Sequence, residues 1–484
     1  MIKEIFKKQV VKNSLINFIA KGVGLVISII FVTYISRKLT KFELGVFAVM
    51  NIFMGVIPLI VGLGLATSAI RLVPELKAKG EHQKVSDIIK LTISLPIPET
   101  ILITLLGVLL SKFLSIAFLK SSEYSGCIIW ILFISFFYSI FDRIILVCQS
   151  LQEFGKIAIL FIFTNLISRI LAVILLLKGY GMVGIFQGFL IGTFLGVVIG
   201  FFTLREYIFS KYHGYSIKEY IKFSFPYYLQ GWARFAFNQA DQFLVALIFV
   251  PEILAVYFIA KKIIFLFTLI LESLLEPLIP KLAENKSQNI EIFSNNFKKS
   301  YYIFSTFALF SSLFLLINSK NFMYLLGGIK FYNQFAVLNI LSVSMFFYFL
   351  FSLYSIWIYL LYQPIDILKL KFLVGIFNIL FGFLLGLKLG LVGFAIGQSF
   401  GFIIGIFIIY SKYKINDFKF LLEDIKNFTL VIITFITGYI LNLYFLPLVD
   451  SFSTVIRNFM VNLLLFSFLY FAILRRKIKI KEVF

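Results

Sequence analysis

Hydrophobic residues fill this chain in long blocks, broken at intervals by short polar stretches that carry most of its Lys and Arg. A block must reach roughly 20 residues for a helix to cross a hydrocarbon core roughly 30 Å thick. Fourteen do so, at approximately 13–36, 42–66, 91–111, 127–149, 157–177, 181–203, 222–248, 253–276, 300–318, 334–361, 367–387, 390–411, 427–446 and 455–474. Hydrocarbon offers no water to the backbone, and a helix satisfies its own N–H and C=O groups. The pattern predicts an all-α polytopic membrane protein of about 14 transmembrane helices, with a split within one run left open.

The sixth and twelfth runs are copies of one pattern. GMVGIFQGFLIGTFLG (181–196) returns 209 residues later as GLVGFAIGQSFGFIIG (390–405). Gly181, Val183, Gly184, Gly188, Gly192 and Gly196 match Gly390, Val392, Gly393, Gly397, Gly401 and Gly405. Glycines four apart line one helix face and let a neighbouring backbone come close, which is how helices associate in lipid. ELGVFAVMNIF (43–53) pairs with EILAVYFIAKKII (252–264), and LVPEL (72–76) with LIPKL (278–282). The expected organisation is an N-terminal six-helix lobe in 1–204, a connection in 205–222 and a C-terminal six-helix lobe in 223–412. Residues 413–484 then hold two additional helices and a basic tail.

Composition agrees and excludes alternatives. With 61% hydrophobic residues, 62 Phe and 14% charged residues, the chain cannot form a soluble globule. The net charge of +22 would suit nucleic acid, but the distribution of the charges assigns it to topology. Lys and Arg in the two tails and after even-numbered runs outnumber those after odd-numbered runs by about three to one, so both termini and the even connections are expected in the cytoplasm. The first run is too long for a signal-peptide core and is expected to be retained. Cys127 and Cys148 fall at opposite ends of one run, about 31 Å apart along a helix, and cannot pair. His82 and His213 lie in expected cytoplasmic connections without metal-ligand spacing.

Enzyme chemistry has no foothold. GYGMVG (179–184) has the form G-x-G-x-x-G, but it joins two apolar runs, and the repeat has Lys388 at its first glycine position. No cofactor or metal is expected. The longest external connection, 112–126, is too short for a catalytic domain. The longer cytoplasmic connections, 71–90, 205–222 and 281–299, mix charges with periodic apolar residues, as interfacial helices do.

Function is sought in charges placed inside the runs, where each costs roughly 2.5 to 3.5 kcal/mol and so faces a bundle interior or a wet cavity. These are Lys21, Asp142, Arg143, Arg169, Arg234, Asp241, Lys261 and Lys262. In PYYLQGWARFAFNQADQ (226–242), Arg234, Asn238 and Asp241 share one helix face with Gln230 and Tyr227, a stripe suited to phosphate and sugar hydroxyls. Asp142 and Arg143 read as a packing pair. Lys261 and Lys262 point about 100° apart and cannot face one point.

The two repeated halves, the G-x-V-G-x-x-x-G helix closing each, and NQADQFLVALIFVPEILAVYFIAKKI (238–263) resemble the polysaccharide and oligosaccharide flippases. These are the Wzx-type members of the superfamily that also contains multidrug exporters and the lipid II flippase. The resemblance implies two lobes around a central cavity lined by the first and seventh runs. It implies alternating access for a polyprenyl-phosphate or pyrophosphate-linked oligosaccharide in cell-surface glycan synthesis. The candidate substrate-binding residues are then Lys21, Arg169, Gln230, Arg234, Asn238, Asp241, Lys261 and Lys262. The implied partners are the lipid-linked substrate, membrane lipids and glycan-assembly enzymes. The alternative is a cation-coupled multidrug exporter of the same superfamily, with Glu99, Asp142, Asp241 and Glu272 as available acids. A membrane glycosyltransferase would need an outer loop and external carboxylates that the chain lacks.

Overall fold

A computed structural model of the protein describes residues 22–275 and 278–413, and every regular element among them is helical. The thirteenth and fourteenth runs, the basic tail and the start of the first run lie outside the described residues. Nine helical segments of the described residues are long and apolar enough to cross a membrane. One of these, Phe154–Thr203, is 50 residues long and holds two of the expected runs. The chain is a multi-pass membrane protein. Its described residues divide into two compact units, one running up to Trp232 with Ala246–Glu252, the other comprising Ala233–Val245 and everything from Ile253.

The first unit contains α1 (22–38), α2 (Lys41–Val61), α3 (Leu65–Ala78), α4 (His82–Ser94), α5 (Pro96–Leu109), α6 (Ser111–Leu119), α7 (Ser125–Ser150), α8 (Phe154–Leu175), α9 (Gly181–Thr203) and α10 (Arg205–Ile208). The T-K-F-E string starts α2 as a capping box. The Glu43 backbone N–H donates to Thr40 Oγ1 at 3.2 Å, and the Thr40 N–H donates to Glu43 Oε2 at 2.8 Å. The expected run to residue 66 stops at Val61 because Leu63 and Gly64 take positive φ of 46° and 72°. A Cβ on Gly64 would lie 2.4 Å from the Tyr228 nitrogen, so α3 begins pressed against the backbone of α11 (Ile217–Asn238). Ser68 and Ser224 hydroxyls meet at 2.6 Å across that seam, and Tyr220 Oη donates to the Leu65 carbonyl at 2.9 Å. Tyr220 is fully buried in the apolar cluster that includes Ile88, Ile144, Val147 and Leu204.

The connection between the halves is tied to α4. Asp87, 1% exposed, accepts the backbone N–H of His213 at 2.9 Å and that of Tyr215 at 3.0 Å. Lys90 Nζ donates to the Ser210 carbonyl at 3.0 Å. Residues 209–216 are thus not an interfacial helix but a non-helical strap held by side chains of the preceding connection.

The glycine ladders are realised as close helix pairs. In the first unit, added Cβ atoms would lie 2.3 Å from Ala172 N at Gly188, 2.1 Å from Ser168 Oγ at Gly192 and 2.4 Å from Thr164 Oγ1 at Gly196. Ala172, Ser168 and Thr164, four apart on α8, are the small partners such an approach requires.

The second unit contains α12 (Ala240–Ile248), α13 (Pro251–Leu275), α14 (Leu278–Gln288), α15 (Ile290–Ile317), α16 (Ser319–Gly327), α17 (Phe335–Leu361), α18 (Pro364–Leu389) and α19 (Leu391–Lys412), with the C-terminal end of α12 and the start of α13 falling to the first unit. Here added Cβ atoms would lie 2.3 Å from Gly382 N at Gly397, 1.8 Å from Asn378 Oδ1 at Gly401 and 2.5 Å from Val374 Cγ2 at Gly405. The repeat in sequence is a repeat in packing. The seventh expected run is split, parting into α11 and α12 at Gln239, and the third is parted at Leu95 between α4 and α5. The expected external connection 112–126 carries α6, which continues the apolar stretch of α5 after a break at Leu110.

Candidate functional site

Helix α11 passes from one unit into the other between Trp232 and Ala233. Gln230, Arg234 and Asn238 are exposed at i, i+4 and i+8, one polar face on a helix whose neighbours Ala233 and Phe237 are buried. Among the described residues Arg234 forms no ion pair, so its guanidinium keeps a full set of donors.

Asp241 leaves this stripe. The break at Gln239 turns it into the first turn of α12, where it is 6% exposed. Three donors converge on its Oδ2: Tyr257 Oη at 2.6 Å, Gln398 Nε2 at 2.6 Å and Lys261 Nζ at 2.8 Å. Tyr257 and Lys261 stand one turn apart on α13, and Gln398 projects from the glycine ladder of α19. Sequence alone shows Asp241 and Lys261 as separate membrane charges; the structure joins them, and it adds Tyr257 and Gln398. A polar residue seated between Gly397 and Gly401 is the signal in the sequence that a partner was needed. Lys262 turns the other way, its ammonium 5.2 Å from the centre of the Phe258 ring.

Arg169 belongs to the first unit. Its guanidinium lies 5.9 Å from the Phe31 ring centre and 5.8 Å from that of Phe189, and it donates to the Asn165 carbonyl at 3.1 Å and to Asn165 Oδ1. Two aromatic faces and an amide therefore hold this charge in place. Arg143 is 3% exposed and donates to Thr100 Oγ1 at 2.9 Å. Lys21 lies outside the described residues. A second cluster in the second unit was missed at the sequence level: Tyr348 Oη donates to Glu272 Oε1, and Lys371 has its ammonium 5.9 Å from the Phe237 ring centre. Lys371 falls near the start of an apolar run, where it reads as a charge of the preceding connection.

Charged groups at membrane depth are costly and face a bundle interior or a wet cavity. Solved structures share this fold, among them the following three. A lipid II flippase, MurJ, in an inward closed conformation matches 96% of this chain and 99% of its own at a TM-score of 0.70 and 18% identity. An inward-facing multidrug resistance transporter of the MATE family of the MOP superfamily matches 87% of this chain and 94% of its own, at 0.63 and 15%. A MOP superfamily transporter from Pyrococcus furiosus, described as having a binding pocket of reversed polarity, matches 90% of this chain and 96% of its own, at 0.56 and 15%. No curated protein matches the chain in sequence. The sequence model of the polysaccharide biosynthesis protein family matches residues 10–286, which span the first half and the start of the second. The protein belongs to the polysaccharide biosynthesis protein family.

Proposed function

We propose that the protein is a flippase that moves a lipid-linked oligosaccharide, carried on a polyprenyl phosphate or pyrophosphate, from the cytoplasmic to the outer leaflet by alternating access. Family membership and a fold shared with a lipid II flippase support this reading. The observation that carries it is the exposed Gln230, Arg234 and Asn238 face of α11, a helix that buries Ala233 and Phe237 on its other side. An anionic headgroup cannot enter hydrocarbon unaided, whereas a guanidinium offers phosphate oxygens bidentate hydrogen bonds and the two amides offer donors and acceptors to sugar hydroxyls. The lipid tail stays in the bilayer. The protein performs translocation rather than covalent chemistry, with both termini in the cytoplasm and glycan-assembly enzymes supplying the substrate on that side.

The cation-coupled exporter remains a second reading because of the MATE-family fold. Asp241 is the buried acid it would use, and Lys261 already compensates that carboxylate at 2.8 Å. This favours the flippase. The test is reconstitution in liposomes with a fluorescent polyprenyl-pyrophosphate-linked sugar in both leaflets. Protein-dependent loss of protection from an impermeant quencher is the expected result; protein that leaves the inner-leaflet fraction protected while exporting an organic cation would replace this reading with the second.

A further inference from the structure

Lys320 stands where a lone cation is least expected. It is the second residue of α16, in the first turn, where the free backbone N–H groups of a helix already concentrate positive charge and acidic residues are favoured. No acidic residue and no capping side chain accompanies it there. The side chain is nonetheless turned inward, 9% exposed, with its ammonium 4.9 Å from the ring centre of Phe335 and 5.8 Å from that of Tyr332. Among the described residues it forms neither an ion pair nor a hydrogen bond. The flanking helices bring no carboxylate to it, since no Asp or Glu occurs between Glu291 and Asp366. Those two open α15 and α18, each a full helix of 28 or 27 residues away, about 40 Å. Beside Lys320 in the chain, Ser319 is fully buried, and its Oγ has no hydrogen-bond partner.

We propose that the first turn of α16 binds a small inorganic anion of halide size, held by the Lys320 ammonium, the Ser319 hydroxyl and the N–H groups of the turn. An unpaired ammonium, an unpartnered buried hydroxyl and a helix start all attract negative charge, and one turn of α16 carries the three. The ring faces of Phe335 and Tyr332 occupy part of the ammonium's donor capacity and leave the rest to the anion. Both rings are themselves buried, so the site excludes a phosphoryl headgroup or a sugar. Burial acts to hold the Lys320 amino group below the usual lysine range, and a bound anion opposes that and keeps it charged. The ion supplies the counter-charge of the hairpin between α15 and α17, and its site is independent of the transported substrate.

The test is thermal unfolding of the purified full-length protein in detergent, in sodium chloride, bromide, phosphate and gluconate at matched ionic strength. Chloride and bromide are expected to raise the midpoint saturably by about 1 to 3 °C over gluconate, as a ligand of the folded state does, and phosphate to match gluconate. Lys320→Gln should lose the difference between halide and gluconate, and Ser319→Ala should raise the half-saturating halide concentration about threefold to tenfold. Equal midpoints in all four salts overturn the site and leave the ammonium to the Gln334 side chain, whose buried Oε1 has no partner. Stabilisation by phosphate equal to that by halide overturns the size assignment. A halide response that persists in Lys320→Gln puts the ion elsewhere and overturns the site. Should that variant yield no folded protein, an unchanged halide titration in Ser319→Ala overturns it instead. The flippase reading stands in every case.

Discussion

Lys261 Nζ stands 2.8 Å from Asp241 Oδ2 in the interior of the second unit, and Tyr257, one turn earlier on α13, donates to the same oxygen. Removing one member of a buried pair leaves the other charge uncompensated, at roughly 3 to 5 kcal/mol, whereas removing both can be nearly neutral. Lys261→Met should therefore lower the melting temperature of the detergent-solubilised protein sharply, and Lys261→Met with Asp241→Asn should recover most of the loss. If the single variant melts like the parent, the pair does not hold this unit together.

Arg234 behaves differently in the same assay. Exposed and without an ion pair among the described residues, it has no buried partner to abandon. Arg234→Ala should keep folded yield and abolish transport in the liposome assay, and Arg234→Lys should retain a fraction, since charge survives but the bidentate fork does not. Full transport by Arg234→Ala would remove it from the site; loss of folded protein would make it structural.

Gly192 and Gly401 face Ser168 and Asn378 at distances that no Cβ tolerates, 2.1 and 1.8 Å. Gly192→Ala and Gly401→Ala should each destabilise by about 1 to 3 kcal/mol through overpacking. Gly126→Ala, with nothing within 4 Å, is the control expected to melt like the parent. Equal melting of all three proteins would show the ladders to be ornamental.

Asp87 satisfies backbone N–H groups of the strap at both His213 and Tyr215. In Asp87→Ala these donors lose their acceptor, at about 1 to 3 kcal/mol for a buried group. Limited proteolysis should then cut within 209–216 much faster than in the parent; an unchanged cleavage rate would mean that the Lys90 bond and the contact between the Tyr215 and Tyr220 rings hold the strap without it.

The charge distribution sets an expected orientation, with 281–299 on the cytoplasmic side. A cysteine at Ile290, in a background of Cys127→Ser and Cys148→Ser, should resist an impermeant thiol reagent in intact cells and react after lysis. Ready labelling in intact cells would invert the orientation.

The repeat was legible because close packing in lipid demands small residues at fixed spacing, and that demand is written directly in the chain as Gly188, Gly192 and Gly196 and again as Gly397, Gly401 and Gly405. The membrane helices were legible because length and hydropathy answer to the bilayer. The breaks were less so. The stop at Gly62 and the bend at Gln239 depend on what the neighbouring helices offer, such as the α11 backbone against Gly64. At the site, helical spacing put Asp241 on a stripe with Arg234 and Asn238, but spacing assumes an unbroken helix, and the bend took it inside. The partners Tyr257 and Gln398 come from distant segments, and only the fold brings them to one oxygen. Lys371 was overlooked because a charge two turns into a helix looks, in sequence, like one at its mouth.

The interlocked pairs also limit how this protein can move. Where an absent methyl group is the only reason two backbones fit, as at Gly188 on Ala172 and Gly397 on Gly382, neither rod can slide past its partner by even one residue without a collision. Telescoping along α8 and α9, or along α18 and α19, is thereby blocked, and each pair travels as a single beam. Under the alternating-access reading, reorientation falls to places where the rods are interrupted, among them the turn through Gly62, Leu63 and Gly64 and the break at Gln239. Probes on both members of one beam should hold a constant separation through a full transport cycle, whereas probes placed either side of an interruption should not.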